Sequence, residues 1–178
     1  MRNQSEQATD VFIETFSDNP ITGVEIGTGD GCFSKSLLLN LPNLQMIYTI
    51  DPYTQDLTSE FEANLPIEEH EARKTNARLS LDHYPGRYVL IEETSDNAIL
   101  LIPDNVDFVW VDGDHRPAQI YKDIINYYPK VKSGGIFGGH DYHRVIPIFR
   151  DMIEGTIYLG DDWTWWIRKD ERCLKNQG

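Results

Sequence analysis

The sequence predicts an α/β fold in which a mostly parallel β-sheet carries helices on both faces. Short apolar runs with the composition of buried strands alternate along the chain with segments of helical periodicity, which is typical of such folds. With 178 residues the chain is long enough for one hydrophobic core and short for two. We therefore predict one domain over residues 1–178, with a short N-terminal helix in 1–20, a core over 21–169 and a frayed tail over 170–178.

Each predicted element follows from a local pattern. Five apolar runs predict the parallel strands: Ile21–Ile26, Gln45–Ile50, Tyr88–Ile91, Val106–Val111 and Gly135–Gly138. Helical spacing predicts helices over Phe33–Leu41, Ile67–Leu81, Asp96–Leu101, Ala118–Tyr127 and Val145–Glu154. Near the C-terminus, Thr156–Leu159 and Trp163–Arg168 flank a turn-forming Gly-Asp-Asp segment and predict an antiparallel hairpin, whose tryptophans we expect to be packing residues.

Charge and cysteine content narrow the function classes. The 29 acidic residues outnumber the 16 basic ones and give a formal net charge of −13. Because such a surface repels phosphate backbones, a nucleic-acid partner is disfavoured and a small-molecule partner is expected. Cys32 and Cys173 are the two cysteines and lie far apart in sequence, which indicates a reducing compartment rather than a disulfide framework. The N-terminus has no apolar core of a signal peptide, and no apolar run is long enough to span a membrane. These features predict a cytoplasmic protein without membrane association.

The most specific pattern is a glycine turn directly after the first predicted strand. Gly27, Gly29 and Gly31 alternate with other residues, so the chain can turn tightly and a ligand can approach the backbone near the next helix N-terminus. Glu25, next to the last residue of the predicted strand, could hold a cationic amino group directly or through water. A turn of this kind also occurs where a helix simply packs on a strand, so its interpretation needs a second signal.

Asp51 supplies that second signal. It ends the second predicted strand about 20 residues after the glycines, where an acid can accept hydrogen bonds from both ribose hydroxyls. An aspartate before a proline is also typical of turns, but its occurrence with the glycine turn favours a ligand. An NAD site would need Gly-x-Gly-x-x-Gly, and Cys32 stands at the third glycine position. Glu25 would also repel a pyrophosphate, so the pattern favours S-adenosylmethionine.

A second group of polar residues follows the fourth and fifth predicted strands. We expect these strands to be neighbours whose carboxyl ends open on the same edge as the glycine turn. Three of the five histidines and three carboxylates meet there: Asp112, Asp114, His115, His140, Asp141 and His143.

Two chemistries suit this group. In the first, which we favour, Asp112, His140 and Asp141 hold a divalent metal that lowers the pKa of an acceptor hydroxyl. These ligands suit Mg²⁺ or Mn²⁺ and also iron or zinc, so the identity of the metal stays open. In the second there is no metal, and His115 or His143 is the general base. The same segment could form the two-histidine, one-carboxylate triad of an iron hydroxylase, or belong to a non-catalytic binding protein.

Together these segments resemble class I S-adenosylmethionine-dependent methyltransferases, and within them the metal-dependent O-methyltransferases that include sugar and catechol enzymes. The resemblance is carried by Glu25–Gly31, Asp51, Val111–His115 and Gly134–Tyr142, and it extends from about Ile21 to Lys169. It implies a Rossmann-like, seven-stranded sheet with the last strand antiparallel, and methyl transfer to a small hydroxylated acceptor such as a sugar or phenol. Some of these relatives use an acid or an amide as the metal ligand at the position where this chain has His140.

The resemblance also implies a donor site, with adenine near the end of the third strand. Tyr53 and Tyr142 lie close to the two sites and are candidates for stacking on adenine or acceptor. The residues expected to contact the donor are Glu25, Gly27, Thr28, Gly29, Gly31, Asp51, Tyr53, Thr94, Ser95 and Asp112.

Overall fold

The computed structural model describes residues 3–58, 64–153 and 155–170. The predicted tail beyond Asp170, together with Glu154 and Cys173, lies outside the described residues. The strands are β1 Ile21–Ile26, β2 Leu44–Ile50, β3 Tyr88–Ile91, β4 Val106–Val111, β5 Val131–Gly139, β6 Tyr158–Leu159 and β7 Trp165–Arg168. The helices are α1 Gln4–Phe16, α2 Cys32–Asn40, α3 Ile67–Leu81, α4 Ser95–Ala98, α5 Pro117–Tyr127 and α6 Tyr142–Met152, with a 3₁₀ turn at Ile99–Leu101.

The strands form one seven-stranded sheet in the order β3-β2-β1-β4-β5-β7-β6. Strands β1 to β5 pair in parallel, and β7 is antiparallel to both β5 and β6. The predicted fold class, a mostly parallel sheet with the last strand antiparallel, is therefore confirmed. The chain reverses its strand order between β1 and β4, and ligands of open α/β sheets bind at the carboxyl ends beside such a reversal.

Two hydrophobic cores cover the two faces of the sheet. On one face, α1 and α2 pack on β1 and β4, where Phe12 stacks on Phe108 at 4.2 Å and Phe33 on Trp110 at 5.2 Å between ring centroids. A Cβ atom at Gly23 would overlap the Phe108 ring, so this glycine gives the ring its place in the core. On the other face, α4, α5 and α6 pack around Phe137, Phe149 and other apolar side chains.

Several element bounds differ from the sequence-based prediction, and three of these differences have a clear structural reason. Strand β5 begins at Val131 rather than Gly135, because Val131 pairs with Val106 of β4 before an irregularity in the register. Helix α6 begins at Tyr142 rather than Val145, directly after Asp141 in a left-handed conformation. The second hairpin strand begins at Trp165 rather than Trp163, since Asp162 and Trp163 both have positive φ, and the first begins at Tyr158 rather than Thr156.

Among residues 3–58, 64–153 and 155–170, no helix combines the length and the apolar character that crossing a membrane requires.

Candidate active site

The glycine turn joins the carboxyl end of β1 to α2. Gly27, Gly29 and Gly31 all have positive φ, which glycine adopts without strain. A Cβ atom at Gly27 would overlap the main-chain carbonyl of Asp112, whereas one at Gly29 would meet nothing within 4 Å. Gly27 therefore allows the turn to pack against the segment after β4, and Gly29 borders open space where a ligand can approach.

Asp51 connects this turn to the loop after β2. Its Oδ2 atom accepts a hydrogen bond from the Gly29 amide at 3.0 Å, and its Oδ1 atom accepts one from the Tyr53 amide at 2.9 Å. Burial raises the pKa of Asp51, while these two bonds oppose the rise. Each carboxylate oxygen has a further lone pair for an acceptor role, so the predicted contact with ribose hydroxyls is compatible with this geometry.

Tyr53 lies against the glycine turn. Its ring is only 3% exposed, its φ is 48°, and its hydroxyl donates to the Gly29 carbonyl at 2.9 Å. In this arrangement the side chain holds the turn instead of presenting a free ring face for stacking. Thr28, also predicted to contact the donor, is buried and hydrogen-bonded to Thr49.

Glu25 lies beneath the turn rather than on its open rim. The side chain is 1% exposed, and its Oε2 atom accepts hydrogen bonds from the Ser34 and Thr49 hydroxyls, the latter at 2.8 Å. Burial raises the pKa of Glu25 to about 8, although the two hydroxyl donors act to lower it. The carboxyl group therefore keeps its proton at neutral pH in this arrangement, and a cation bound nearby would favour its ionisation.

The predicted adenine end contains a polar network that the sequence analysis missed. The buried Ser95 hydroxyl donates to Asp123 Oδ1 at 2.6 Å, and Gln119 Nε2 donates to both groups at 3.0 Å. Thr94, by contrast, is exposed and precedes α4. Burial raises the pKa of Asp123 to about 6. The sequence does contain one sign of this network: Gln119 and Asp123 are four residues apart, which places two polar side chains on an otherwise apolar face of helix α5.

The predicted acceptor group does converge at the carboxyl ends of β4 and β5. One ligand atom each from Asp112, His115 and Asp141 lie within 4.8 Å of one another. His115 Nε2 is 2.9 Å from Asp141 Oδ2 and 3.8 Å from Asp112 Oδ1, and His140 Nδ1 is 3.6 Å from the same two oxygens. Two carboxylates and two imidazoles are suitable ligands for a divalent cation.

Two other members of the predicted group lie farther out. His143 is 47% exposed, and its Nδ1 atom is 3.9 Å from Asp141 Oδ1. Asp114 accepts a hydrogen bond from Arg116 Nε at 2.7 Å and so contributes to an ion pair.

Burial lowers the pKa of His115 below its ordinary value of 6.5, although the negative charge of Asp141 acts to raise it. His115 is therefore the better placed of the two predicted bases and is also a metal-ligand candidate.

The turn before β7 adds an aromatic side chain to this edge. Trp163 is 55% exposed, and its ring centroid lies 5.4 Å from that of His143 and 6.1 Å from that of His140. Its carbonyl accepts a hydrogen bond from the Tyr142 amide at 3.0 Å. Unlike the buried Trp165, Trp163 does not fit the expectation that the C-terminal tryptophans are packing residues.

Fold and site together define a class I methyltransferase, and comparison with known proteins identifies the family. Residues 24–142 match the family described as "Methyltransferase domain", and the chain belongs to this family of S-adenosylmethionine-dependent enzymes. An uncharacterized protein of Acanthamoeba polyphaga mimivirus is 27% identical over 132 residues, covering 72% of this chain and 54% of that protein. The chain thus spans about half the length of that relative.

Solved structures show the same fold at low sequence identity. An O-methyltransferase from Bacillus cereus, solved with S-adenosylhomocysteine (SAH), superposes with a TM-score of 0.64 at 13% identity, covering 92% of this chain and 81% of that one. An rRNA methylase from Streptococcus thermophilus superposes with a TM-score of 0.63 at 12% identity, covering 96% of this chain and 99% of that one. At such identities the likeness establishes the fold alone.

Proposed function

We propose that the protein transfers the methyl group of S-adenosylmethionine to a hydroxyl group of a small acceptor, with a divalent cation at the carboxyl ends of β4 and β5. The observation that carries the proposal is the position of Asp112. Its main chain packs against Gly27 of the donor turn, and its Oδ1 atom faces His115 and His140. One residue thereby joins the donor turn to the candidate acceptor site.

The donor half of the proposal rests on the glycine turn and Asp51. Gly29 borders open space, and the Asp51 carboxylate is fixed beside it by two backbone amides. Glu25 beneath the turn provides a carboxyl group that a cationic donor would help to ionise. These features suit a ligand with a ribose and a positively charged sulfonium or amino group.

The acceptor half rests on the carboxylate and imidazole cluster. Asp112 and Asp141, with His140 or His115, would hold the cation, which when bound lowers the pKa of an acceptor hydroxyl. In the transfer, the acceptor oxygen forms a bond to the methyl carbon, the carbon–sulfur bond breaks, and SAH leaves. The hydroxyl proton must go to a base, and the lowered pKa of His115 keeps its imidazole neutral and able to accept that proton.

The same cluster supports a second candidate, a metal-independent methyltransferase with His115 as the base. Its Nε2 atom is 2.9 Å from Asp141 Oδ2, and such an aspartate orients an imidazole and stabilises its protonated form. The net charge of −13 supports a small acceptor over a nucleic acid in both versions.

Ligand binding and methyl transfer together test the proposal. We expect calorimetry to detect binding of S-adenosylmethionine and SAH and not of NAD. With labelled S-adenosylmethionine and a panel of phenols and sugars, we expect transfer that stops with chelator and returns with Mg²⁺ or Mn²⁺. Preferential NAD binding would refute the donor assignment. Transfer that is insensitive to chelator but abolished by His115→Ala would favour the metal-independent version.

A further inference from the structure

The first turn of α1 reaches the candidate acceptor site. Gln4 and Gln7 are three residues apart and therefore share one face of the helix. This turn is held in place at two points. Asn3 and Glu6 form a capping box, and farther along the same helix Phe12 packs on Phe108 of the sheet. Gln7 fixes the same turn to the loop before β7, with its Nε2 atom 2.7 Å from the Asp161 carbonyl and its Oε1 atom 2.6 Å from the Asp161 amide.

Gln4 uses both ends of its side-chain amide. Its Oε1 atom accepts a hydrogen bond from Trp110 Nε1 at 2.9 Å, and its Nε2 atom donates to Asp112 Oδ2 at 2.6 Å. The indole nitrogen is only a donor, so it determines which end of the amide faces Trp110. The NH₂ group then faces Asp112 and donates to its carboxyl oxygen. Because Trp110 is fully buried in the sheet, the amide is oriented from the core.

The two oxygens of Asp112 consequently have different surroundings. Oδ2 is held by Gln4, whereas Oδ1 lies 3.6 Å from His140 Nδ1 and 3.8 Å from His115 Nε2. A hydrogen bond of this kind fixes the rotation of the carboxylate and so determines which oxygen faces the cluster. A side chain that orients a ligating carboxylate in this way typically changes metal affinity about 10–100-fold when it is removed.

We propose that Gln4 is a positioning residue, which orients the Asp112 carboxylate for the divalent cation and thereby makes helix α1 part of the acceptor site. This inference rests on the metal-dependent form of the proposed function. A glutamine is suited to this position: the shorter asparagine would not span Trp110 and Asp112, and a glutamate would place a second carboxylate against Asp112.

Mn²⁺ is a suitable probe, because its binding can be measured by electron paramagnetic resonance without knowledge of the acceptor. The test compares the wild-type chain of 178 residues with Gln4→Met, which keeps the length of the side chain, and Gln4→Asn, which keeps the amide. Gln45→Met, at an exposed glutamine on β2, is the matched control. SAH affinity is measured in parallel as a readout of the folded donor site.

We expect both Gln4 variants to bind Mn²⁺ about 10–100-fold more weakly, with unchanged SAH affinity and with the control like wild type. If the variants bind Mn²⁺ as wild type does, the role of Gln4 is refuted and the proposed function stands. If they lose SAH affinity together with Mn²⁺, Gln4 is a structural residue only. If the wild-type protein binds SAH but not Mn²⁺, the metal-dependent function fails, and the role of Gln4 fails with it.

Discussion

The buried Glu25 leads to a quantitative prediction about stability. In the unfolded chain this carboxyl group loses its proton above its ordinary pKa of 4.5, whereas in the folded protein it keeps the proton up to about pH 8. Between these values the folded state binds more protons, so the free energy of unfolding falls as pH rises and levels off above pH 8. The difference between 4.5 and about 8, at roughly 1.4 kcal/mol per pH unit, corresponds to about 5 kcal/mol at most.

Glu25→Gln replaces the ionisable carboxyl group by a neutral amide of nearly the same shape. The amide oxygen can still accept the hydrogen bonds from Ser34 and Thr49. The variant should therefore become progressively more stable relative to wild type as pH rises from about 5 to 8, by roughly 4 kcal/mol, and the difference should level off above pH 8.

Urea unfolding at pH 5, 6, 7, 8 and 9 measures this difference directly. Glu14→Gln, at an exposed glutamate on α1, serves as the control and should follow the wild-type curve across the range. Parallel curves for wild type and Glu25→Gln would refute the reasoning, because they would mean that Glu25 ionises in the folded protein as it does in the unfolded chain.

Three further predictions concern the donor and acceptor sites. Asp51→Ala should weaken SAH binding by roughly 1.5–3 kcal/mol in calorimetry, since hydrogen bonds to a charged group are lost; unchanged affinity would contradict the ribose assignment. Gly29→Val should fold but no longer bind SAH, whereas Gly86→Val, at a glycine with similarly positive φ and open surroundings, should bind it normally. Normal SAH binding by Gly29→Val would mean that the donor lies elsewhere. Asp141→Ala should abolish Mn²⁺ binding while SAH affinity stays near wild type, the reverse of Asp51→Ala, and retained Mn²⁺ binding would exclude Asp141 as a ligand.

The fold was predictable because its signals are local. Apolar runs separated by helical periodicity predicted β1, β3, β4 and α3 with the bounds that the structure has. The errors lie where backbone conformation depends on distant contacts. Asp141 and Trp163 adopt positive φ, and the Tyr142 amide donates to the Trp163 carbonyl across 21 residues of chain. Local periodicity carries no information about such a bond.

Part of the arrangement at the candidate site could also be predicted from the sequence, although the functional roles of its residues stay predictions. Residues at the carboxyl ends of adjacent parallel strands must meet at one edge, so the approach of Asp112, His140 and Asp141 followed from strand order alone. Gln4 could not be found in this way. Gln4 lies on helix α1, which precedes the first strand of the sheet. Its contact with Asp112 depends on how α1 packs across β4, where Phe12 stacks on Phe108.

Asp112 connects the glycine turn of the proposed donor site to the carboxylate and imidazole cluster of the proposed acceptor site. Its amide donates to the Ile26 carbonyl at 2.8 Å, and its own carbonyl lies where a side chain at Gly27 would be. A shift of the donor turn must therefore move the Asp112 main chain, and the carboxylate moves with it unless Gln4 holds Oδ2 in place. The glycine at position 27 is therefore required by its contact with the Asp112 main chain, while Gln4 of helix α1 holds the Asp112 side chain.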